Sequence, residues 1–238
     1  MSVPTIETLR TQVRGSVIAR DDVGYDDARA VYNAMIDRRP AVIVRPSNAD
    51  DVVAAVNLAR EMDVDLAVRG GGHSVPGFGT CDDGVVIDLT GMRGVRVDAQ
   101  AKTARAEGGA TWGDFNDATH GWGMATTGGI ISTTGVAGLT LGGGIGYLCR
   151  GLGFSLDNLI SADVVTADGR SLVASEEEHP DLFWALRGGG GNFGVATALE
   201  FRLSPLSEIY GGPMFFELSD APDVLRWYRE FIADAPEA

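Results

Sequence analysis

Apolar residues fall in short runs separated by glycine, proline and acidic clusters, and their period changes repeatedly along the chain. Residues 41–44 form an apolar run closed by Arg45-Pro46, which predicts a short buried strand. Asn48 then stands as an N-cap before Val52, Val53, Val56 and Leu58, whose spacing predicts a helix reaching about Met62. Leu66-Ala67-Val68 predicts a second strand, running straight into Arg69-Gly70-Gly71-Gly72-His73-Ser74. A strand over 85–89 and a hairpin over 95–105, turning at Asp98-Ala99-Gln100, follow. Helices are predicted over 112–121 and 179–187. A strand pair over 161–167 and 170–174 is joined by Asp168-Gly169, and a further strand spans 195–203. The first forty residues read as largely helical, and 128–153 as glycine-rich chain with short helical turns at most. After Pro205 a strand over 214–218 and an amphipathic helix over 221–232 are expected. One strand and one helix cannot bury their own faces, so this tail reads as the opening of a second domain. Short β-α units mixed with hairpins predict an α+β fold.

The 238 residues carry 33 acidic against 19 basic side chains, a formal charge of −14. No basic patch is available to neutralise a phosphate backbone, which excludes a nucleic-acid partner. Two cysteines, Cys81 and Cys149, make neither a disulfide framework nor a CxxC metal site. No apolar run approaches the ~20 residues of a membrane span and residues 1–15 lack a signal-type apolar core, so a cytoplasmic, membrane-free protein is expected.

Glycine changes the picture most. Of 33 glycines, 23 lie between Gly70 and Gly153. Three loops stand out: 70–74, 128–146 and 188–194. Glycine lets successive backbone N–H groups converge on an anion with no side chain in the way, and a chain of charge −14 must hold a phosphate largely with such neutral dipoles. The loops therefore read as a cradle for a large phosphorylated ligand. Residues 189–194 fit GxGxxG, but a helix precedes them and a strand follows, the reverse of the dinucleotide-binding fingerprint. No GxxxxGK[ST] occurs, and the single lysine, Lys102, lies in a hairpin, which excludes a P-loop. His73 sits within the first loop, where no core packing can require it, and a neutral imidazole is a competent nucleophile toward an activated cofactor. His120 and His179 sit at helix ends and read as surface or capping residues.

Arg69-Gly-Gly-Gly-His73-Ser74, the run from Gly129 to Gly146, Asp157-Asn158, and Ala185-Leu-Arg-Gly-Gly-Gly-Gly-Asn192-Phe193-Gly194, in that order, resemble the vanillyl-alcohol-oxidase (PCMH) type of FAD-binding domain. Within it they are most similar to the berberine-bridge-enzyme-like FAD-linked oxidoreductases. The resemblance spans roughly residues 37–203. It implies an N-terminal lead-in over 1–36, an FAD-binding domain of two α+β subdomains over 37–206, and the start of a substrate domain over 207–238. It implies FAD contacts from Arg69, Gly70, Gly71, Gly72, Ser74 and Gly77. Further contacts would come from Gly129, Ser132, Thr133, Thr134, Gly135, Gly138, Leu139, Gly142, Gly143, Gly144, Gly146 and Asn158. The first loop and the middle stretch would hold the pyrophosphate through backbone N–H groups, with Gly194 and Val195 near the adenine or ring system. His73 aligns with the histidine that bonds the flavin 8α-methyl carbon.

The sequence departs from the family pattern twice. Many relatives attach FAD a second time, through a cysteine four residues before Gly135-Val136-Ala137-Gly138, where this chain has Ile131. A single covalent link is therefore expected, with Cys149 a buried small side chain. Relatives are also about twice as long. The leading expectation is an FAD-dependent oxidoreductase of a small alcohol or amine-type substrate, reoxidised by O2 or another acceptor. Tyr147 is a weak candidate for a catalytic base, and none is assigned. The alternatives are a non-catalytic FAD-binding fragment, or one half of a split enzyme completed by a separate chain. A third is the non-covalent, NADPH-using branch of the same fold, for which a histidine in the first loop is unexpected.

Overall fold

The computed structural model describes residues 6–206 and 208–235. The chain runs through α1 (Ile6–Gln12), β1 (Ser16–Ala19), α2 (Tyr25–Arg29), β2 (Val42–Arg45), α3 (Ala49–Met62), β3 (Leu66–Arg69) and β4 (Val85–Asp88). It continues with β5 (Val95–Asp98), β6 (Thr103–Glu107), α4 (Trp112–His120), β7 (Met124–Ala125), α5 (Val136–Leu141) and α6 (Cys149–Leu152). The last elements are β8 (Leu159–Val165), β9 (Ser171–Ser175), α7 (Pro180–Gly189), β10 (Val195–Arg202), β11 (Ser204–Pro205) and α8 (Ala221–Asp234). The expected α+β class holds.

Two large sheets build the molecule, and β7 and β11 pair antiparallel as a two-stranded third. The first has strand order β1-β2-β4-β3, with β2, β4 and β3 parallel and β1 antiparallel at the edge. Every residue of the central strand β4 is buried. On one face α3 packs Val52, Ala55, Val56 and Leu58 against Val42, Val44, Val85 and Ile87; on the other, Tyr25 and Ala28 of α2 cover Ile43, Ala67 and Val86. Helix α3 starts where Asn48 Oδ1 accepts the Asp51 N–H at 3.0 Å, as its N-cap position predicts. The second sheet, β5-β6-β10-β8-β9, is antiparallel throughout. Its core gathers Trp112, Phe115 and Phe201 edge to face, with centroids 5.3–6.1 Å apart, alongside Phe183 and Leu186 of α7. Val165 and Val195 reach from this sheet into the core of the first.

Two expectations are corrected. Residues 6–40 are not mainly helical, since β1 joins the first sheet there, and the part of that expectation falling on residues 1–5 lies outside the described residues. A Cβ on Gly15 would lie 1.9 Å from the Arg45 carbonyl oxygen, so glycine admits the strand, but four residues carry little periodic signal. Residues 214–218 form no strand. They run irregularly with Met214, Phe215 and Phe216 exposed, and among the described residues no strand pairs with them. The expected helix is present as α8, yet none of its residues is buried.

Beside the first loop, the carboxyl ends of the parallel strands carry a buried ion pair. Arg69 and Asp88 are in register on neighbouring strands, and Arg69 Nη2 donates to Asp88 Oδ2 at 2.8 Å with both side chains buried. Arg45 Nε donates to the same oxygen at 2.7 Å, and the Thr90 hydroxyl to Oδ1 at 2.8 Å. The remaining Arg69 donors reach the carbonyls of Ala28 (2.5 Å) and Ala30 (3.0 Å). Burial alone opposes a charge on Asp88, but the Arg69 guanidinium, with Arg45 and Thr90, outweighs it and holds the carboxyl below the usual carboxylate range. Its stabilisation is therefore complete above the unfolded value near ~4 and is lost as pH falls through the lower folded value. Asp88→Asn is expected to cost about 3–5 kcal/mol at neutral pH. In urea titrations at neutral and acid pH, the variant should also lose less stability on acidification than the unsubstituted chain. Equal acid sensitivity of the two proteins would contradict the assignment.

Candidate functional site

The β3 strand delivers the chain into residues 70–74 at the carboxyl end of the parallel sheet. There the first loop crosses the segment that precedes α5. A Cβ on Gly71 would lie 2.2 Å from the Gly135 nitrogen, and one on Gly135 would lie 2.4 Å from the Gly71 nitrogen. The two backbones are in direct contact, an approach only glycine permits. The 132–136 segment is itself laced to the start of α4: Gly113 N–H donates to Ser132 O (2.8 Å), Trp112 N–H to Thr134 O (3.0 Å) and Val136 N–H to Ala110 O (2.9 Å).

The third crossing joins the second sheet. A Cβ on Gly70 would meet Gly108 O at 3.2 Å, and one on Gly108 would meet Ala196 O at 2.2 Å. Gly194 and Val195 stand at the entry to β10, next to Ala196. Gly194 has φ +142°, a Cβ there would lie 2.5 Å from Val165 O, and Val195 is buried.

Polar groups on this surface are left open. Among the described residues the amides of Gly71, Gly72, His73 and Ser74 find no acceptor, nor do those of residues 129–133. Gly138, in the first turn of α5, is exposed, with nothing within 4 Å of where its Cβ would stand. Consecutive free amides can hold an anion through their dipoles alone. The Arg69 guanidinium is turned inward onto Asp88, Ala28 and Ala30, so toward the loop surface that residue presents only backbone.

His73 is partly exposed beside this surface. Its ring stacks on Tyr32, with centroids 4.2 Å apart and planes 16° from parallel, and Nε2 is 2.9 Å from Thr133 Oγ1. No group among the described residues hydrogen-bonds Nδ1. Tyr32 has no local sequence signal for this role. It arrives because Tyr32 N–H donates to Gly72 O (3.2 Å) and Asn33 Nδ2 to Val75 O (2.8 Å). Gly77 closes the same loop at φ +80°, donating to Ser74 O at 3.1 Å.

The middle glycines extend the surface. A Cβ on Gly128 would strike the Trp112 ring at 2.3 Å, and one on Gly146 would strike Gly128 O at 1.8 Å. Gly129 rests on Leu139 and Trp112. Gly142, Gly143 and Gly144 turn the chain after α5, the last two at φ +128° and +88°, and the Gly143 and Gly144 carbonyls accept the Leu156 and Ser155 amides. Asn158 is buried and donates to the carbonyls of Leu152 and Phe154, both at 2.9 Å, so its side chain holds this loop in shape. A cavity of about 220 Å³ opens beside the stretch, lined by His120, Thr126, Gly128, Gly129, Tyr147 and Glu208 among others. Tyr147 is exposed at its mouth. The larger cavity, about 320 Å³, lies between α1 and α3 and touches none of the loops.

The helix α7 before residues 190–194 and the strand β10 after them confirm that this GxGxxG lacks the strand-then-helix context of a dinucleotide fold. One expectation is corrected: Cys149 is half-buried rather than buried. It opens the surface turn α6, where its sulfur accepts the Gly146 N–H at 3.1 Å. No cluster of metal-ligating side chains occurs among the described residues.

Comparison with known proteins places these features. An FAD binding domain profile matches residues 40–175. The chain is 38% identical over 205 residues to an uncharacterized FAD-linked oxidoreductase of Bacillus subtilis, covering 84% of this chain and 46% of that protein. It is 38% identical over 194 residues to (R)-6-hydroxynicotine oxidase of Paenarthrobacter nicotinovorans, covering 82% and 42%. Among solved structures, 6-hydroxy-D-nicotine oxidase from Arthrobacter nicotinovorans superposes with a TM-score of 0.80 at 37% identity, covering 81% of this chain and 43% of that one. Glucooligosaccharide oxidase from Acremonium strictum, described with a 6-S-cysteinyl, 8α-N1-histidyl FAD, superposes at 0.78 with 35% identity, covering 84% and 42%. The chain thus spans less than half the length of these relatives.

The two kinds of glycine separate by substitution. Gly135→Ala must push the loops apart and is expected to destabilise the ligand-free chain by about 1–3 kcal/mol. Gly138→Ala, in helical backbone with open space, is expected to stabilise it by about 0.5–1 kcal/mol. Denaturant midpoints measure both, and a stabilising Gly135→Ala would contradict the crossing.

Proposed function

The chain belongs to the FAD binding domain family, and from that premise we propose that it carries FAD covalently on His73, as the flavin-bearing part of an oxidoreductase for a small organic substrate. The observation that carries this reading is the row of acceptor-free amides from Gly71 to Ser74 beside an imidazole whose Nδ1 is open. The amides of 71–74 and 129–133 would hold the pyrophosphate. The commitment of the Arg69 guanidinium to Asp88, in a chain of charge −14, supports dipoles rather than that cation as the anchor at the first loop. Bound there, FAD supplies a two-electron centre that takes a hydride from a substrate and passes electrons to an acceptor such as dioxygen.

The chain's own residues supply position. Tyr32 fixes the plane of the His73 ring, the Gly71–Gly135 contact fixes its distance from the 129–138 segment, and Asn158 keeps the far end of the middle stretch folded. Ile131 stands where many relatives carry a second attachment cysteine, and Cys149 is turned back onto Gly144 and Gly146, which supports a single link. The names of the neighbours, a hydroxynicotine oxidase and oligosaccharide oxidases, support an amine- or alcohol-type donor. The wholly uncovered α8, with Trp227 and Phe231 stacked on its exposed face, supports reading 207–238 as the opening of a further, substrate-binding domain.

Acid precipitation tests the attachment. The unsubstituted chain should retain flavin in the pellet, while His73→Ala should fold, with a melting temperature within a few degrees, and release all flavin to the supernatant. A yellow His73→Ala pellet contradicts the assignment. Cys149→Ala should leave the mass of the flavin-bearing protein unchanged apart from the substitution. Loss of a flavin bond in that variant would show a second link.

A further inference from the structure

We propose that Tyr32 is a positioning residue that orients the His73 imidazole for attachment, and so sets the rate of that step rather than the hold on FAD; this rests on the attachment reading above. The loop that frees the amides cannot hold the ring itself. Residues 70–72 are glycines with nothing to pack against an imidazole, and Ser74 Oγ is engaged by the Phe78 N–H, which donates to it at 3.0 Å. The Thr133 hydroxyl, 2.9 Å from Nε2, fixes one point of the ring but not its plane. The plane is set by Tyr32, whose ring stacks 4.2 Å away and 16° from parallel. The lone pair of an imidazole nitrogen lies in the ring plane, so a tilt of that plane swings either nitrogen off line with the carbon it must reach. A stack takes up a face and leaves both edges free, so it holds the ring without competing with the reaction.

Tyr32 does not serve the core: it is 73% exposed, and its hydroxyl makes no hydrogen bond among the described residues. What holds it is the backbone of residues 30–36, which run without helix or strand alongside the first loop. Arg69 Nη1 donates to Ala30 O at 3.0 Å, the Tyr32 N–H to Gly72 O at 3.2 Å, and Asn33 Nδ2 to Val75 O at 2.8 Å. Asn33 Oδ1 accepts the Met35 N–H at 3.1 Å, so both ends of that amide are committed. Ile36 fills the space beside Gly77, where a Cβ would lie 2.8 Å from its side chain. Tyr32 is thus pinned through its own amide and through the residue that follows it. In the attachment step an imidazole nitrogen forms a C–N bond to the 8α-methyl carbon, while one methyl C–H bond and the imidazole N–H bond break. The two electrons pass through the flavin ring to dioxygen, the oxidant, which takes up the two protons and leaves as hydrogen peroxide. Tyr32 gives and takes no proton in this step; it acts through the His73 ring.

The test compares the full chain with its Tyr32→Phe and Tyr32→Leu variants. Before any flavin is added, proton NMR reads the carbon-bound ring protons of His73, identified by their loss in His73→Ala. They should lie upfield, under the ring current of the stacked aromatic, in the unsubstituted chain and in Tyr32→Phe, and return to unstacked positions in Tyr32→Leu. FAD is then added in air over a range of concentrations, and acid-stable flavin is followed in time. The limiting rate at saturating FAD should fall about fivefold in Tyr32→Leu, the scale of one stacked aromatic pair, with the half-saturating FAD concentration unchanged. Tyr32→Phe should attach flavin at near the original rate. Unstacked His73 protons in the unsubstituted chain overturn the proposal. So does an unchanged limiting rate in Tyr32→Leu, a Tyr32→Phe variant as slow as Tyr32→Leu, or an effect that falls wholly on the half-saturating concentration; in each of these the attachment reading stands. If the unsubstituted chain shows the stacked ring yet gains no acid-stable flavin, the attachment reading itself fails, and the role given to the stack falls with it.

Discussion

Two peptide backbones can touch only where neither carries a side chain, and the crossing of Gly71 over Gly135 is such a place. The contact brings the end of a parallel strand from one sheet against the segment that feeds α5 above the other. It sets His73 within reach of Thr133 and leaves the amides on the outer side of both loops without acceptors. A methyl group at either position would lie less than 2.5 Å from the opposing nitrogen, so neither loop can tolerate one without separating. The pairs Gly70–Gly108 and Gly108–Ala196 repeat the arrangement toward the second sheet, so the whole surface is built from backbone lying on backbone.

The charged groups serve this surface from below. Asp88, at the end of a fully buried strand, is held ionised by Arg69 and Arg45. With its other donors Arg69 grips the Ala28 and Ala30 carbonyls, two residues short of the tyrosine that stacks on His73. A buried ion pair of the first sheet thus steers an aromatic ring at the site. Because the guanidinium is committed in this way, the first loop presents neutral amide dipoles rather than this charged side chain.

The sequence makes the loops and the histidine legible because glycine clusters and a histidine among them are local features. The alternation of apolar periods gives most of the strands and helices to within about two residues. What escaped it depends on distant partners. Nothing near Tyr32 announces that it will meet His73, and Ser16–Ala19 becomes a strand only because an edge of the first sheet awaits it. Residues 214–218 have strand-like composition but no neighbour to pair with. Cys149 has the size of a core residue, yet it opens a surface turn and is only partly buried. The motif residues Arg69 and Asn158 point their side chains into the fold, a distinction between contact by backbone and contact by side chain that a motif does not carry.

The measurement that bears most directly on the central claim is a titration of the 15N-labelled chain with FAD, followed by amide proton–nitrogen spectra. If free amides of crossing glycine loops hold the pyrophosphate, the largest shifts will fall on Gly71, Gly72, His73 and Ser74 and on residues 129–138, with little change over 188–192. Shifts concentrated on residues 188–194, or spread over the cavity between α1 and α3 while residues 70–74 stay still, would contradict it.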